Sequence, residues 1–299
     1  MTVMSLKAIK KIIPKIIREK RWEFANYLLK RKIIAYLKSD RFVQGYSNSD
    51  RKDIYSFLKN NTLSVFPYEF TKKYKADNIQ VYTDNECNLK YVLHENKRLY
   101  FKPEWTESQI KEYYNNLLIE QDIDSPHRYE FDNFYVNEND IVVDVGGAEG
   151  IFSLTVVERA KKIYLFEPDE SWNISLQKTF EPWGKKITVV NKFVSDCNTE
   201  NSVCLDDYFR GTDVTYLKVD AEGFEKQIIS GAKIIISSSN LKKLKMVVCV
   251  YHRQNDAEEI NELVKKHGFS TEFSKGYMIF KYDKYLTEPY LRRGLLRTC

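Results

Sequence analysis

From Asn139 onward the 299-residue chain alternates apolar runs with glycine turns and amphipathic stretches, and no other feature constrains its fold as much. The runs are IVVDV (141–145), KIYLFE (162–167), KITVVN (186–191), VTYLKVD (214–220) and KMVVCVY (245–251). Such nearly continuous apolarity marks strands covered by helices on both faces. Helical patterns at 150–160, 169–180, 224–238 and 256–267 fall between most of them, while the third link reads mainly as loop. The alternation predicts an α/β fold with a doubly wound, mostly parallel sheet. After the last helix, FSTEFS and YMIFKY flank Lys275-Gly276 and read as a terminal hairpin rather than another βαβ unit.

Upstream the pattern differs. Residues 5–38 read as helical, with Leu6, Ile9, Ile12, Ile13, Ile16 and Ile17 at three- and four-residue steps, extended by Phe24, Leu28 and Leu29. Pro14 is expected to kink or split this segment. DNIQVYTD and LKYVLHENKRLYFK read as hairpin strands with NEC in the turn. Residues 106–121 form a capped amphipathic helix opened by Thr106, and 122–129 a loop. The expected organisation is a basic helical segment (1–42), an accessory or substrate region (43–125), a catalytic domain (126–285) and a C-terminal tail (286–299).

The net charge of +5 is unevenly spread: residues 1–42 carry twelve Lys or Arg against three acids, a net +9, which leaves −4 elsewhere. One reading of 1–42 is a basic amphipathic helix on an anionic membrane surface. The favoured one is a helical hairpin docked on the domain or on a second copy, as in a homo-oligomer, with its lysines in solvent. Five scattered cysteines without CxxC spacing suggest neither zinc nor a disulfide framework, so a reducing compartment fits. No uncharged apolar run approaches membrane-span length and no signal-peptide core is visible, so a cytoplasmic protein is expected, with peripheral contact at the inner membrane face as the variant.

In an open α/β sheet, ligands bind at the carboxyl ends of the strands. The first strand ends VDVGGAEG, where Asp144, Gly146, Gly147 and Gly150 make a tight turn into a helix. A dinucleotide G-x-G-x-x-G would need glycines at Ala148 and Ile151. The pattern is acidic-x-Gly-x-x-x-Gly instead, typical of adenosylmethionine sites, although such turns also serve packing alone. Glu167, ending the second strand, can accept hydrogen bonds from both ribose hydroxyls; otherwise it is a surface acid or helix cap. Ser195 and Asp196 follow the third strand and are candidates for the adenine edge, or plain turn chemistry. The fourth strand ends LKVDAEGFE. Lys218 and Asp220 are spaced to share a face and to pair, while Glu222 and Glu225 either join the site or only favour the helix N-terminus. His252 and Arg253 leave the fifth strand at the same edge, and His127 and Arg128 in SPHRY are further candidates.

In this order and spacing, VVDVGGAEG, FEPDE, LKVDAEGFE and CVYHRQND resemble the FkbM family of S-adenosylmethionine-dependent methyltransferases, from about SPHRY to residue 283. The resemblance implies a Rossmann-like class I methyltransferase sheet with an antiparallel last strand. It also implies O-methylation, commonly of a sugar or natural-product hydroxyl. Asp144, Gly146, Gly147, Glu149, Gly150, Glu167, Ser195, Asp196 and Asp220 form the expected cofactor set. Asp220, Lys218, His252 and Glu222 form the expected catalytic set. Gly147 stands where alanine or asparagine is more usual and is read as added flexibility. Either Asp220 or His252 would take the acceptor proton; alternatively, Asp220 and Glu222 would hold a divalent cation, left unassigned for want of a full ligand set. Two other readings are a nicotinamide-dependent sugar oxidoreductase or epimerase, and a non-catalytic, membrane-associated protein. A nucleic-acid partner is not expected, because the strand ends carry no basic, aromatic-interleaved patch.

Overall fold

The computed structural model describes residues 6–39, 47–237 and 244–298. The chain forms two compact units: Met1–Glu69 with Tyr277–Leu291, and Phe70–Gly276 with Arg292–Cys299. These divisions differ from the expected ones at 42, 125 and 285. The end of the expected basic segment, 40–42, lies outside the described residues.

In the smaller unit, α1 (Leu6–Lys38) runs unbroken through Pro14, so the expected split does not occur. α2 (Asn48–Asn60) starts at Ser47, whose hydroxyl accepts from the Asp50 amide. The two helices bury Ile33, Tyr36 and Leu37 with Ile54, Phe57 and Leu58, and the cluster is completed by Tyr277, Ile279, Tyr290 and Leu291.

The larger unit opens with a three-stranded sheet of β1 (Tyr82–Thr83), β2 (Lys90–His94) and β3 (Lys97–Tyr100). Besides the expected turn after β1, the run read as one long strand breaks at Glu95 and Asn96, whose positive φ angles of 49° and 64° suit a tight hairpin turn. α3 (Glu107–Glu120) begins with a full capping box between Thr106 and Gln109.

Next come β4 (Ile141–Val145), α4 (Ile151–Val156), β5 (Lys162–Phe166), α5 (Asn173–Phe180) and β6 (Ile187–Val190). The loop-like third link holds a small parallel pair, β7 (Phe193–Ser195) and β8 (Ser202–Cys204), and α6 (Leu205–Tyr208). β9 (Tyr216–Val219), α7 (Glu225–Ser230), α8 (Lys233–Ser237), β10 (Lys245–Cys249), α9 (Asp256–Lys266), β11 (Thr271–Phe273) and β12 (Leu295–Thr298) follow.

Among the described residues the main sheet has seven strands in the order β11-β12-β10-β9-β4-β5-β6. It is parallel except for β12, which is antiparallel to β10 and β11. The last strand in the chain is therefore antiparallel as expected, but it is Leu295–Thr298, from the presumed tail, and it lies between β10 and the edge strand β11. Residues 277–282 leave the sheet for the smaller unit, where the Ile279 amide bonds the Val65 carbonyl. Both segments are apolar enough for a strand, and local pattern alone does not choose between them.

α9 shows why these segments are helices. Asp256, Glu258 and Glu259 occupy its first turn and Lys265 and Lys266 its last, complementing the helix dipole. Ile260 and Val264, one turn apart, are buried in the sheet's core cluster. Ile260→Ala should cost about 2–5 kcal/mol in urea denaturation followed by circular dichroism. The exposed Glu262→Ala should stay within about 0.5 kcal/mol.

Candidate active site

β4 and β9 are parallel neighbours with Asp144 directly opposite Lys218. Both are buried, and Lys218 Nζ lies 2.9 Å from Asp144 Oδ1. The ammonium also donates to the Gly146 carbonyl at 2.7 Å, and the Ser153 hydroxyl donates to Asp144 Oδ2 at 2.7 Å. Burial works to lower the Lys218 pKa, but the charge of Asp144, then of Asp220, raises it above the ordinary lysine value. Lys218 thus pairs with Asp144 rather than with Asp220. Cross-strand neighbours lie about 4.8 Å apart, whereas residues i and i+2 of a strand are separated by about 6.6 Å, and Asp220 already lies past the end of β9. Asp144, fully buried, is an anchor for Lys218 and α4 rather than a carboxylate open to a ligand.

The turn after β4 is fastened to β5, since the Gly146 and Gly147 amides both donate to the Phe166 carbonyl, at 3.0 and 3.1 Å. Gly146 has φ +73°, and a Cβ there would sit 1.8 Å from the Asp220 carbonyl oxygen, so the β9 tip closes directly onto it. A Cβ on Gly147 would lie 2.5 Å from the Leu165 side chain. Gly147 therefore serves close packing, not the added flexibility expected. Gly150 opens α4.

Two carboxylates flank this turn. Glu167 accepts from the Ala148 amide through Oε2 and the Asp169 amide through Oε1, each at 2.8 Å. A carboxylate oxygen has room for a second donor, so both oxygens can still take a ribose hydroxyl. Burial raises the Glu167 pKa against these two amide bonds. Glu149 is buried and takes a 2.7 Å bond from the Tyr113 hydroxyl; burial pushes its pKa up to about 7. Tyr113 belongs to an aromatic cluster with Phe101, Trp105 and Trp172. In the sequence it shows only as part of the α3 apolar stripe. Ser195 and Asp196 hydrogen-bond each other at 3.1 Å, with Asp196 exposed and the Ser195 carbonyl against Gly231. Among the described residues no hydrogen bond joins either side chain to Glu167.

A second cluster forms where β9 and β10 end. Asp220 Oδ2 accepts from the Tyr129 hydroxyl at 2.7 Å and lies 3.5 Å from His127 Nε2. Its Oδ1 lies 3.5 Å from the Tyr251 hydroxyl and 3.6 Å from His252 Nε2. Burial alone would raise the Asp220 pKa; the His127 hydrogen bond and the charges of His127, Lys218 and His252 hold it well below the usual carboxylate value. On its other side, His252 Nδ1 lies 3.0 Å from Glu225 Oε1. That oxygen also accepts from the Ala221 and Gly223 amides, at 2.9 and 3.2 Å. Burial works to lower the His252 pKa, but Glu225 and then Asp220 raise it above its ordinary 6.5.

Glu225, nearly fully buried, is therefore the second carboxylate of this cluster. Glu222, expected in the catalytic set, is exposed in the turn before α7 at φ 50°. The two acids differ by three residues in one turn, and only the tertiary path separates them. Tyr129 and Tyr251 had no signal beyond their neighbours His127 and His252. Arg128 bonds the Gln121 and Glu130 carbonyls, and Arg292 bonds the carbonyls of Tyr251 and His252, fixing the strand end that carries the histidine. The proposed Asp220–Glu222 cation pair is not assembled. Donor atoms of Asp220, Glu225 and His252, and of His127, Asp220 and Cys249, lie within 4.8 Å of one another. Glu225 Oε1 already serves three donors, and burial holds the Cys249 thiol well above its ordinary pKa. Neither set is assigned to a metal.

The arrangement places a polar turn, with a carboxylate that has acceptor capacity left, next to a network of imidazole, carboxylate and phenol groups. Lys218→Met should destabilise the protein by about 3–5 kcal/mol in thermal or urea denaturation, because it strands Asp144 as a buried charge. The double variant Lys218→Met/Asp144→Asn should recover most of that loss.

A family model described as methyltransferase FkbM domain matches residues 104–271. No curated protein sequence matches the chain. Among solved structures, it is similar to a methyltransferase FkbM from Methylobacillus flagellatus, at 16% identity and a TM-score of 0.44, over 65% of this chain and 54% of that one. The chain thus spans about half the length of that protein. It is also similar to a precorrin-6y C5,15-methyltransferase from Geobacter metallireducens, at 13% identity and a TM-score of 0.37, over 55% of this chain and 83% of that one.

Proposed function

Because the chain belongs to the FkbM methyltransferase family, which implies methyl transfer from S-adenosylmethionine, we propose that it methylates a hydroxyl of a sugar, glycan or related small molecule. The observation that carries this reading is the Glu225–His252–Asp220 relay beside the Gly146 turn. A sulfonium donor needs little activation but an aliphatic hydroxyl does, so the protein must align two reactants and remove one proton.

Glu167 would hold the donor's ribose, and the donor, as a sulfonium, would supply the methyl group at the strand ends joined by Gly146 and Asp220. The acceptor oxygen attacks the methyl carbon in line as the carbon–sulfur bond breaks. The bonding pair stays on sulfur, and a neutral thioether leaves. The hydroxyl proton passes to neutral His252. Asp220, held well below the usual carboxylate range, is too weak a base to keep that proton and instead orients the hydroxyl. Glu225 is a positioning residue that fixes the imidazole through Nδ1 and stabilises its charged form. Lys218 acts through Asp144 and the turn, and no cation is required by these steps. The described Cys87, Cys197, Cys204 and Cys249 are free thiols, which favours a cytoplasmic enzyme.

Labelled donor offered to a panel of sugars should give O-methyl products; label recovered only on nitrogen, carbon, protein or RNA would exclude the acceptor class. Asp220→Asn should lower turnover at least about a hundredfold, with donor binding by calorimetry nearly unchanged. Glu167→Ala should weaken donor binding by about tenfold or more.

The pH profile gives a separate check. Since His252 must be neutral to act, activity should fall as pH drops through an apparent pKa above 6.5. In Glu225→Gln, which keeps an acceptor oxygen but loses the charge, that limb should move to lower pH. An unmoved limb would remove Glu225 from the relay.

A further inference from the structure

Among the described residues, α1 carries one apolar face that is buried and another that is exposed. Ile33, Tyr36 and Leu37 are at most 2% exposed, in the core of the smaller unit. Ile17, Phe24 and Leu28, spaced seven and four residues apart on one helical face, are 52%, 62% and 42% exposed. At 3.6 residues per turn this face lies about 150° around the helix from the covered one. Trp22, also exposed, points toward the covered side of the helix instead, where it stacks on exposed Tyr282 at 6.1 Å. Lys20, Arg21, Arg31 and Lys32, all exposed, stand on the same stretch of helix.

The charge identifies the occupant. The α1 sequence holds eleven Lys or Arg against Glu19 and Glu23, a net +9. A second copy laid against this face would bring two such helices together, and their repulsion opposes pairing. No helix among the described residues is long and apolar enough to cross a membrane. A basic helix with exposed aromatic and aliphatic side chains, too charged to insert across a bilayer, matches a surface of anionic lipid. Its apolar face enters the headgroup boundary, while Lys and Arg meet the phosphates.

We propose that the exposed face of α1 docks the protein on an anionic lipid bilayer, with Ile17, Phe24 and Leu28 buried in the interface and Lys20, Arg21, Arg31 and Lys32 paired with headgroups. This docking is independent of the methyl-transfer reading and does not need it to hold.

The test is flotation of the full chain with vesicles of phosphatidylcholine alone and of phosphatidylcholine mixed with phosphatidylglycerol, at low and high salt. The mixed vesicles should carry the protein up, the neutral ones should not, and salt should weaken binding. Lys20→Glu/Arg21→Glu/Arg31→Glu/Lys32→Glu should cut binding about a hundredfold or more, and Ile17→Ser/Phe24→Ser/Leu28→Ser about tenfold. Because these side chains are exposed, both variants should keep the wild-type circular dichroism spectrum. A serine variant with normal helicity that floats like wild type would overturn the proposal. So would a wild-type chain that ignores anionic vesicles, or one that forms, in sedimentation equilibrium, a dimer abolished by the serine substitutions without binding vesicles.

Discussion

The buried Lys218–Asp144 pair is the interaction on which the rest of the candidate site depends. An ammonium and a carboxylate inside the sheet are costly unless each is matched, and here the partners belong to the strand tips, the turn and the first turn of α4, which must all be aligned. Lys218 reaches Asp144 across β4 and β9 and the Gly146 carbonyl in the turn, while Ser153 ties the same carboxylate to α4. The pair draws the β4 turn and the β9 tip so close that only glycine fits at Gly146. Register, turn and helix start are thereby fixed together, and the open chemistry is arranged around them.

That chemistry is divided by the electrostatics of its carboxylates. Asp220, surrounded by His127, His252 and Lys218, stays ionised. Glu149, buried between the Tyr113 hydroxyl and the Ile151 amide, has its pKa pushed up by burial, and Glu167 is held by two backbone amides. Glu225 is spent on the backbone and on His252. Four acids within one strand-end region therefore sit in four different environments. The differences come from what surrounds each acid, not from the residue type.

Much of this was legible in the chain. The five apolar runs became the parallel strands at almost the expected bounds, because a strand buried on both faces leaves a mark that few other structures share. The strand ends pointed to Glu167, Asp220 and His252 as candidates, since ligand sites in such sheets gather there, and to Asp144, which is buried as the partner of Lys218. What failed was assignment among near neighbours. Lys218 took Asp144 rather than Asp220, and Glu225 displaced Glu222. The last strand came from Leu295–Thr298 instead of the adjacent 277–282.

The sequence by itself determined the class of fold, the edge of the sheet where the candidate residues gather and the basic amphipathic character of the first helix. These follow from periodicity and composition, which are local and survive without knowledge of contacts. Tertiary structure alone decided which acid meets which base, that Tyr113 bonds Glu149 while Tyr129 and Tyr251 face Asp220, and that the exposed face of α1 is turned away from its own core. Such pairings depend on register and on the path of the chain between strands. A shift of one residue reverses the face a side chain occupies, and no short-range pattern records that choice.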